Sequence, residues 1–574
     1  MRSTCLSRLG HLIVALGVLG ASFGVAGAQA RTPSAQCDGQ IVHEIRVSAL
    51  RPPFTGEAKY WRRFARTFGL HHATTDTAVV RRFLAIDTGA VCTEFRLRES
   101  ARLLREEPFL AAARVRSVPD DSGGVRVEVE TVDEIPALGS VSISHGHLSY
   151  LEIGNENMFG DAWLLAVHGS DDPLTGRSAG FRMSDYQFLD RPYQLDAQAD
   201  FGQRSSGWLL AASHAYLTDL QRIAWEAGLG QLRQDFIRLH RGDNMDDLAL
   251  AYRRFAADVG GVLKLGNIRT PILIGGALTH LRADPTGSFN VDDGGGVSPD
   301  TTLSTRYPSL RHTRLTGIGA WRNLNFVTAH GFDALTGTQD MPTGFQLFGE
   351  LGRGIRAFQG ESDVFGSADV LAGVGSGATY AGLHMISEAR HAIGAASWDG
   401  IISSTRLGFY WKPNDPNLLR SWTEFAGGWR VLTPFQLGLA TEDRRLIGYK
   451  GTAVGGRRLA GGLELRHVVS GLTSKADVGF GAFVNAARLW AGDAPFGMTT
   501  PLLASGGVSL FGAFPHGSQR LLRVDVGAPL RSSAVRSGWE VRLLFTDATR
   551  ASREEPRDVT AAREQLVGPE VFRP

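Results

Sequence analysis

Residues 539–545 read Trp-Glu-Val-Arg-Leu-Leu-Phe, so apolar side chains alternate with Glu540 and Arg542. Successive side chains of a β-strand point to opposite faces. One face of this stretch can therefore meet lipid while the other meets a polar interior. Residues 522–528 (Leu-Arg-Val-Asp-Val-Gly-Ala) and 463–466 (Leu-Glu-Leu-Arg) repeat the arrangement. The pattern predicts membrane-spanning strands.

The same alternation continues through most of the chain. From about Gly139 onward, segments of roughly ten residues are separated by Gly, Asp, Asn and Pro turns, as a transmembrane barrel requires. After the first thirty residues, no stretch approaches the ~18 uninterrupted apolar residues of a spanning helix, so any membrane crossing must be made by a closed barrel. Tryptophans near segment ends predict two aromatic girdles at the membrane interfaces. They are Trp163, Trp208, Trp321, Trp411, Trp429, Trp490 and Trp539.

The first thirty residues predict export. Arg2 and Arg8 precede an apolar run over residues 12–19, and Ala28-Gln-Ala ends the stretch with small residues at the two cleavage positions. We therefore expect a signal peptide over residues 1–30 that is removed after export. The alternative, a retained anchor, is disfavoured because the apolar run is shorter than the ~20 residues that a spanning helix needs.

The charge balance excludes one class of partner. The whole chain carries a formal net charge of +2, and two arginines lie in the predicted signal peptide, so the exported protein is near neutrality. A nucleic-acid partner would need a basic face, so none is expected.

The cysteines predict a crosslink. Cys5 leaves with the signal peptide, which leaves Cys37 and Cys92 as an even pair in an oxidising compartment. Closing a loop of about 55 residues would stabilise a small domain by roughly 4 kcal/mol in the chain-entropy model. The alternative, two unpaired buried thiols, stays open on the sequence alone.

Residues 39–133 differ in pattern from everything that follows. Their apolar residues alternate at both ends of the segment but recur with helical spacing in its middle, which predicts the order strand, helix, helix, strand, strand. The predicted elements are a strand over 41–47, helices over 79–84 and 95–105, and strands over 111–118 and 125–131.

That order resembles a POTRA domain, the periplasmic module of outer-membrane assembly and secretion barrels. The resemblance is carried by Thr75-x-x-x-Val-Val-Arg-Arg-x-Leu84, Gly89, Glu99-Ser-x-Arg-x-Leu-Arg105, Phe109 and Val125-x-Val-x-Val-Glu130. Residues 56–70 depart from the POTRA pattern and predict an added helix. The resemblance implies a small α+β domain over residues 31–135.

A second resemblance lies near the end of the chain. Residues 446–466 resemble the loop of the BamA/TamA-type superfamily (the bacterial surface antigen family) that folds back into the barrel lumen. Five alternating segments follow this stretch, which is the number of strands that the family places after the loop. Residues 155–161 also resemble the opening of the family's first barrel strand. The implied lumen-loop residues are Ile447, Gly448, Tyr449, Gly455, Gly456 and Arg457.

Two positions depart from the family together. The arginine of the family's loop would fall at Ile447, and the aspartate of its barrel wall would fall at Asn485. Losing one partner of a buried ion pair typically costs about 3–5 kcal/mol, whereas replacing both can be nearly neutral. The paired replacement favours a loop that faces Asn485 inside the lumen. An ordinary glycine-rich external loop remains the alternative.

The expected fold is mainly β, with an antiparallel transmembrane barrel of about 16 strands over residues 136–547. We expect the barrel to close between residues 148–153 and 539–545, with an external loop over residues 284–312. The charged tail over residues 548–574 lacks alternation and is expected outside the barrel. Residues 187–435 contain more candidate strands than the family would place there.

The resemblance implies a barrel that inserts or exports polypeptide, or lipid, across the bacterial outer membrane, with its POTRA-like domain in the periplasm. It implies no cofactor and no enzymatic activity, and the residues present no set of catalytic or metal-binding side chains. Outer-membrane lipid and an unfolded polypeptide client are the implied partners, together with periplasmic or lipoprotein components. A passive channel or structural barrel is the main alternative, and an outer-membrane hydrolase is the third.

Overall fold

A computed structural model describes most of the chain between Cys37 and Arg563. The predicted signal peptide and the predicted helix over 56–70 lie outside the described residues. None of the described helices is long and apolar enough to cross a membrane. The described residues are 37–52, 73–121, 123–144, 147–172, 176–241, 246–267, 270–291, 296–303, 306–356, 360–439, 446–449, 453–469, 475–531, 538–547 and 555–563.

The described residues of the N-terminal domain form a three-stranded sheet and two helices, in the predicted order of strand, helix, helix, strand, strand. The central strand β3 pairs in parallel with β1 and antiparallel with β2, so β1 and β2 are the two edges. The elements are β1 (Val42–Leu50), α1 (Thr77–Arg82), α2 (Glu94–Glu106), β2 (Leu110–Pro119) and β3 (Val125–Asp133).

Alternation and helix caps explain these elements. Val125, Val127 and Val129 are buried on one face of β3, because every second residue of a strand shares a face. The side chain of Asp76 accepts a hydrogen bond from Ala78 N at 2.7 Å and thereby starts α1. A disulfide joins Cys37 to Cys92 across a Cα–Cα distance of 5.4 Å, as predicted.

The remaining long strands form one large antiparallel sheet. The strands are β4 (Ala137–Ser144), β5 (His147–Asn155), β6 (Trp163–Asp172), β7 (Gly176–Asp185), β8 (Gln194–Gly202), β9 (Ser206–His214), β10 (Ile223–Leu239), β11 (Asp247–Leu265), β12 (Ile272–Val291), β13 (Val297–Asp300), β14 (Leu310–His330), β15 (Thr338–Ile355), β16 (Asp363–Gly375), β17 (Thr379–Ala392), β18 (Asp399–Asn414), β19 (Asn417–Trp429), β22 (Arg457–Val468), β23 (Asp477–Trp490), β24 (Leu503–Ala513), β25 (Arg520–Pro529) and β26 (Glu540–Asp547). A separate two-stranded sheet consists of β20 (Leu437–Gly438) and β21 (Val454–Gly455).

The large sheet closes on itself. Each long strand pairs with its chain neighbours, and β26 lies beside β4. The turns after β5, β7 and β9 contact the N-terminal domain, and we call that end of the barrel the near rim and the opposite end the far rim. The strand β13 is a short extension that pairs with β12, while β12 pairs directly with β14.

The outer surface of the barrel is apolar and the inner surface is polar. On β22, Leu463 and Leu465 are 47% and 58% exposed, whereas Glu464 and Arg466 between them are buried. This is the inverse of a soluble sandwich, which would bury its leucines, and it matches a wall with lipid outside.

Exposed tryptophans lie toward both ends of this wall. Trp163, Trp321 and Trp411 are exposed toward the near rim, and Trp208 and Trp539 toward the far rim. Their placement matches two aromatic girdles.

The expected strand count is too low. With β13 taken as part of the hairpin from β12, the described residues form twenty barrel strands, fifteen before the loop that follows β19 and five after it. The number of strands after the loop is the predicted one. The extra strands lie between β4 and β19, where the sequence pattern already offered more segments than the family places there. Additional strands make a barrel wider.

The expected seam is also displaced. Residues 148–153 belong to β5, and β4 lies between β5 and the last strand. Asn155 ends β5 and residues 156–161 lie in the turn between β5 and β6, so residues 155–161 are not the opening of the first strand. The expected external loop over 284–312 is partly strand, because residues 284–291 continue β12 in pairing with β11. The added length of these strands consists of polar residues. A search for alternating apolar residues therefore does not detect it.

Candidate functional site

A buried ion pair joins the N-terminal domain to the barrel wall. Arg105 at the end of α2 donates from Nε and Nη2 to the two carboxylate oxygens of Asp340 on β15, at 2.7 and 2.8 Å. The side chains are 12% and 5% exposed. Thr328 donates a further hydrogen bond to Asp340 from the neighbouring strand β14. A two-point contact of this kind fixes orientation as well as distance.

Arg102, one turn earlier on α2, contacts two other parts of the near rim. Its guanidinium lies 4.3 Å from the ring centroid of Phe326 on β14 and donates to the carbonyl oxygen of Leu217 after β9. Burial alone would lower the pKa of Arg102, but the carboxylates of Glu106 and Glu99 raise it above its ordinary value. The side chain therefore remains a cation in this contact.

Two more turns hold the N-terminal domain. Asn157, after β5, donates to Thr75 at 2.8 Å, and Gln187, after β7, donates to the carbonyl oxygen of Val79 at 2.7 Å. Gly160 has φ +82°, and a Cβ there would lie 2.3 Å from the carbonyl oxygen of Thr74, so the close approach requires glycine. Contacts on turns from β5 to β15 mean that the domain lies across the near rim.

A further contact lies close to the junction of β26 and β4. Arg520, the first residue of β25, donates to the carbonyl oxygen of Ile135 at 2.7 Å and forms an ion pair with Glu156. Ser518 donates to Glu134 at 2.6 Å. Burial raises the pKa of Glu134, which lies between β3 and β4 and outside the membrane-spanning segments, to about 7. The link between domain and barrel is thus buried and charged.

A cleft remains between the domain and the inner wall. Its volume is about 670 Å³, and it is lined by α2, by Val115, Arg116 and Ser117 on the edge strand β2, and by Phe326 on the wall. The ion pair of Arg105 separates this cleft from a smaller cavity of about 200 Å³ beside the junction of β26 and β4. The edge of the N-terminal sheet therefore faces the barrel entrance.

The turn between β14 and β15 extends into the lumen at the near rim. Phe332 is fully buried, and its ring stacks on Tyr410 of β18 with centroids 5.0 Å apart. The hydroxyl of Tyr410 donates to Asp333 at 2.8 Å, and Arg466 of β22 donates to the carbonyl oxygen of Asp333 at 2.8 Å. These strands belong to a distant part of the ring, so residues 331–337 cross the interior.

The segment between β19 and β22 also packs on the inner wall, here at the far rim. Ile447 and Tyr449 are 1% and 2% exposed. The Tyr449 hydroxyl lies 3.0 Å from the carbonyl oxygens of Ala504 and Arg531. The amide of Gly448 donates to Glu540 of β26 at 2.8 Å.

Gly448 is required by its surroundings. Its φ is +82°, and a Cβ there would lie 2.4 Å from the carbonyl oxygen of Gly538. An L side chain would meet both backbone strain and a steric clash at this position.

The other predicted loop residues lie where this segment rejoins the wall. Gly455 belongs to β21 and pairs with Leu437 of β20. Gly456 donates to the carbonyl oxygen of Ala491, and the Arg457 guanidinium lies 5.2 Å from the ring centroid of Trp429.

Ile447 packs on a different part of the wall from the strand that carries Asn485. A Cβ at Gly527 of β25 would lie 2.5 Å from Ile447 Cγ2, so Ile447 packs directly on that glycine. Asn485 lies on β23 and pairs with Gly462 and, on the other side, with Ser505. Two strand positions separate β23 from β25, and the pairing of Ile447 with Asn485 stays a prediction.

The described part of the tail, residues 555–563, lies inside the barrel, so the expectation that the tail lies outside is wrong for these residues. The helix α3 (Arg557–Thr560) and its neighbours contact inward-facing side chains of the wall. Arg458 of β22 donates to Asp558 at 3.2 Å, and Arg563 donates to Glu388 of β17 at 2.9 Å. The sequence showed charge without alternation here, because the segment is helical and its charges pair inside a polar lumen.

The tail also shares a buried core with the infolded segment. Val559 and Ala562, three residues apart on one helical face, are 0% and 1% exposed. They belong to one cluster with Leu439 and Tyr449. This helical spacing was the signal that could have identified the segment, although it extends over little more than one turn.

Solved structures similar to this chain include BamA and CdiB barrels. The BamA of Haemophilus ducreyi lacking POTRA domains 1–3 is 12% identical, with 88% of this chain and 83% of that chain covered and a TM-score of 0.37. CdiB from Acinetobacter baumannii is 9% identical, with 94% and 96% covered and a TM-score of 0.40. Neither a protein family model nor a curated protein matches the sequence.

Proposed function

We propose that the chain is a barrel of the bacterial outer membrane that inserts or exports polypeptide, with its N-terminal, POTRA-like domain in the periplasm. The apolar outer wall with its two sets of exposed tryptophans supports the membrane location. The near rim then faces the periplasm, and the far rim faces the cell exterior.

The observation that carries the proposal is the edge strand β2 at the barrel entrance. An unfolded client can add to such an edge by main-chain hydrogen bonding, because an edge strand presents donors and acceptors that the sheet does not use. Val115, Arg116 and Ser117 of β2 line the cleft that leads along the inner wall. A client bound there is held at the mouth of the lumen.

The filled lumen argues against a passive channel. Residues 331–337 cross the interior at the near rim, and residues 446–449 and 555–563 pack inside toward the far rim. A channel that conducts at rest needs a continuous aqueous path, whereas a translocating or inserting barrel opens only with its client.

The test begins with a census of outer-membrane proteins and lipids after depletion of the chain. A photo-crosslinking residue at Arg116 should capture unfolded polypeptide, and the same residue at Glu44 on the opposite edge strand β1 should not. Both positions are solvent-exposed, so accessibility is matched. Depletion that changes only lipids would assign lipid as the client. No change in either census, with equal capture at the two positions, would contradict the proposal in favour of a channel or structural barrel.

A further inference from the structure

The tail is bonded to the lumen wall on several sides. Arg563 donates to Glu388 of β17 at 2.9 Å, and its carbonyl oxygen accepts from Arg254 of β11 at 3.4 Å. Five strand positions separate β11 from β17 in the ring, or roughly 24 Å along the wall at the usual spacing of strands. One residue can meet both only by lying across the interior.

The contacts combine charge and apolar packing. Arg563 also pairs with Glu555 at 2.6 Å, Asp558 pairs with Arg458, and Thr433 donates to the carbonyl oxygen of Ala562 at 2.8 Å. Val559 and Ala562 are fully enclosed by wall and loop residues. The lumen thus presents a built binding site for a short amphipathic segment.

The tail differs from the other inserted segments in how it joins the wall. The turn between β14 and β15 and the segment between β19 and β22 are each held by a barrel strand at both ends. The tail follows β26, which ends at Asp547 on the near rim, whereas Glu555 contacts Ser404 in the far half of β18. Residues 555–563, the described part of the tail, take part in no strand pairing, so moving them breaks none.

We propose that Glu555, Asp558, Val559, Ala562 and Arg563 form a tethered plug that closes the resting lumen and leaves its site when the barrel is active. The inference rests on the proposed function for its purpose, but the closure itself is a property of the purified barrel. The plug residues hold the segment by paired charges that water can replace and by a small apolar face. Such a contact seals the lumen and remains reversible.

The test is the conductance of the purified full-length chain in a planar bilayer. Ala562→Asp buries an unpaired carboxylate in the plug site and should raise the open probability about 100-fold, which corresponds to the lower end of the cost of an uncompensated buried charge. Ala561→Asp is the matched control, because Ala561 is exposed and is not one of the plug residues. Its conductance should equal that of the unmodified chain.

A second pair of variants guards against misfolding of the first. Asp558→Arg sets two cations against each other at Arg458 and should open the barrel, whereas Asp558→Asn retains a hydrogen-bond acceptor and should open it far less. Heat-modifiable migration on gels reports whether each barrel is folded. Folded Ala562→Asp and Asp558→Arg barrels that conduct no more than their controls would overturn the plug. That result would leave the census and crosslinking at Arg116 unaffected, so the two proposals fail separately.

Discussion

The ion pair between Arg105 and Asp340 is expected to hold the N-terminal domain on the barrel. Its side chains are 12% and 5% exposed, and removing one partner of so buried a pair typically costs about 3–5 kcal/mol. Asp340→Ala leaves the Arg105 guanidinium in a site built for a carboxylate. We expect the docked domain to be disfavoured by at least 100-fold relative to the unmodified chain.

The exposed pair of Arg82 with Asp190 provides the control. Its atoms lie 2.7 Å apart, but the Asp190 side chain is 81% exposed, so water screens the attraction. Exposed pairs contribute roughly 0–1 kcal/mol. Asp190→Ala should therefore shift the docked population little, although it also removes a near-rim contact of the same domain.

Docking can be measured as the distance between spin labels on Glu130 in the N-terminal domain and Asp161 on the near rim, both exposed positions. The described native cysteines are joined to each other, which favours specific labelling of introduced thiols. The double variant of Arg105 and Asp340, both changed to Ala, should recover roughly 0.5–3 kcal/mol relative to the sum of the single changes. Additive effects, or a shift for Asp340→Ala no larger than for Asp190→Ala, would refute the role of the pair.

Three further results are expected. The carboxyl of Glu134 has a pKa of about 7 in the folded protein, so between pH 4.5 and 7 it keeps a proton that the unfolded chain has lost. The free energy of unfolding therefore falls as the pH rises from about 4.5 to 7, by roughly 3 kcal/mol at most. Glu134→Gln should flatten this pH dependence in denaturation curves. Ile447→Arg should lower barrel stability by about 3–5 kcal/mol, and recovery in combination with Asn485→Asp, read from heat-modifiable migration, would establish their pairing, whereas additivity would exclude it. Cys37→Ser should lower the stability of the N-terminal domain by roughly 4 kcal/mol. Two reactive thiols in the unmodified mature chain, denatured without reduction, would show that the disulfide is absent.

Local patterns in the sequence predicted the elements that depend on local physics. Alternation identified β22, β25 and β26 because one face of each meets a wet lumen and the other meets lipid. The five elements of the N-terminal domain follow from hydrophobic period and turn residues alone. The disulfide between Cys37 and Cys92 was predicted from the number of cysteines in the exported chain and from the oxidising compartment.

The inserted segments were not predictable in the same way. Residues 331–337 read Gly-Phe-Asp-Ala-Leu-Thr-Gly, which by composition is an ordinary turn. Their burial depends on strands that are more than seventy residues away, such as the one that carries Tyr410. The tail over 555–563 has the charge of an exposed segment, and only the polar interior of a wide barrel makes that charge compatible with burial. The expected number of strands was too low because it was taken from a family rather than counted from the sequence pattern.

The near rim links docking of the N-terminal domain to closure of the lumen. β26 ends at Asp547, which lines the same cavity of about 200 Å³ as Arg105 and Asp340. The last strand of the wall therefore ends directly beneath the docked domain, so a plug that leaves through the near rim must pass the ion pair. Loosening the domain by Asp340→Ala should then raise the conductance even though every plug residue is intact, and combination with Ala562→Asp should add little once the lumen is open. Domain docking and lumen closure would in that case be a single coupled equilibrium. A client bound along β2 would bias this equilibrium, because it occupies the cleft on the other side of the ion pair between Arg105 and Asp340.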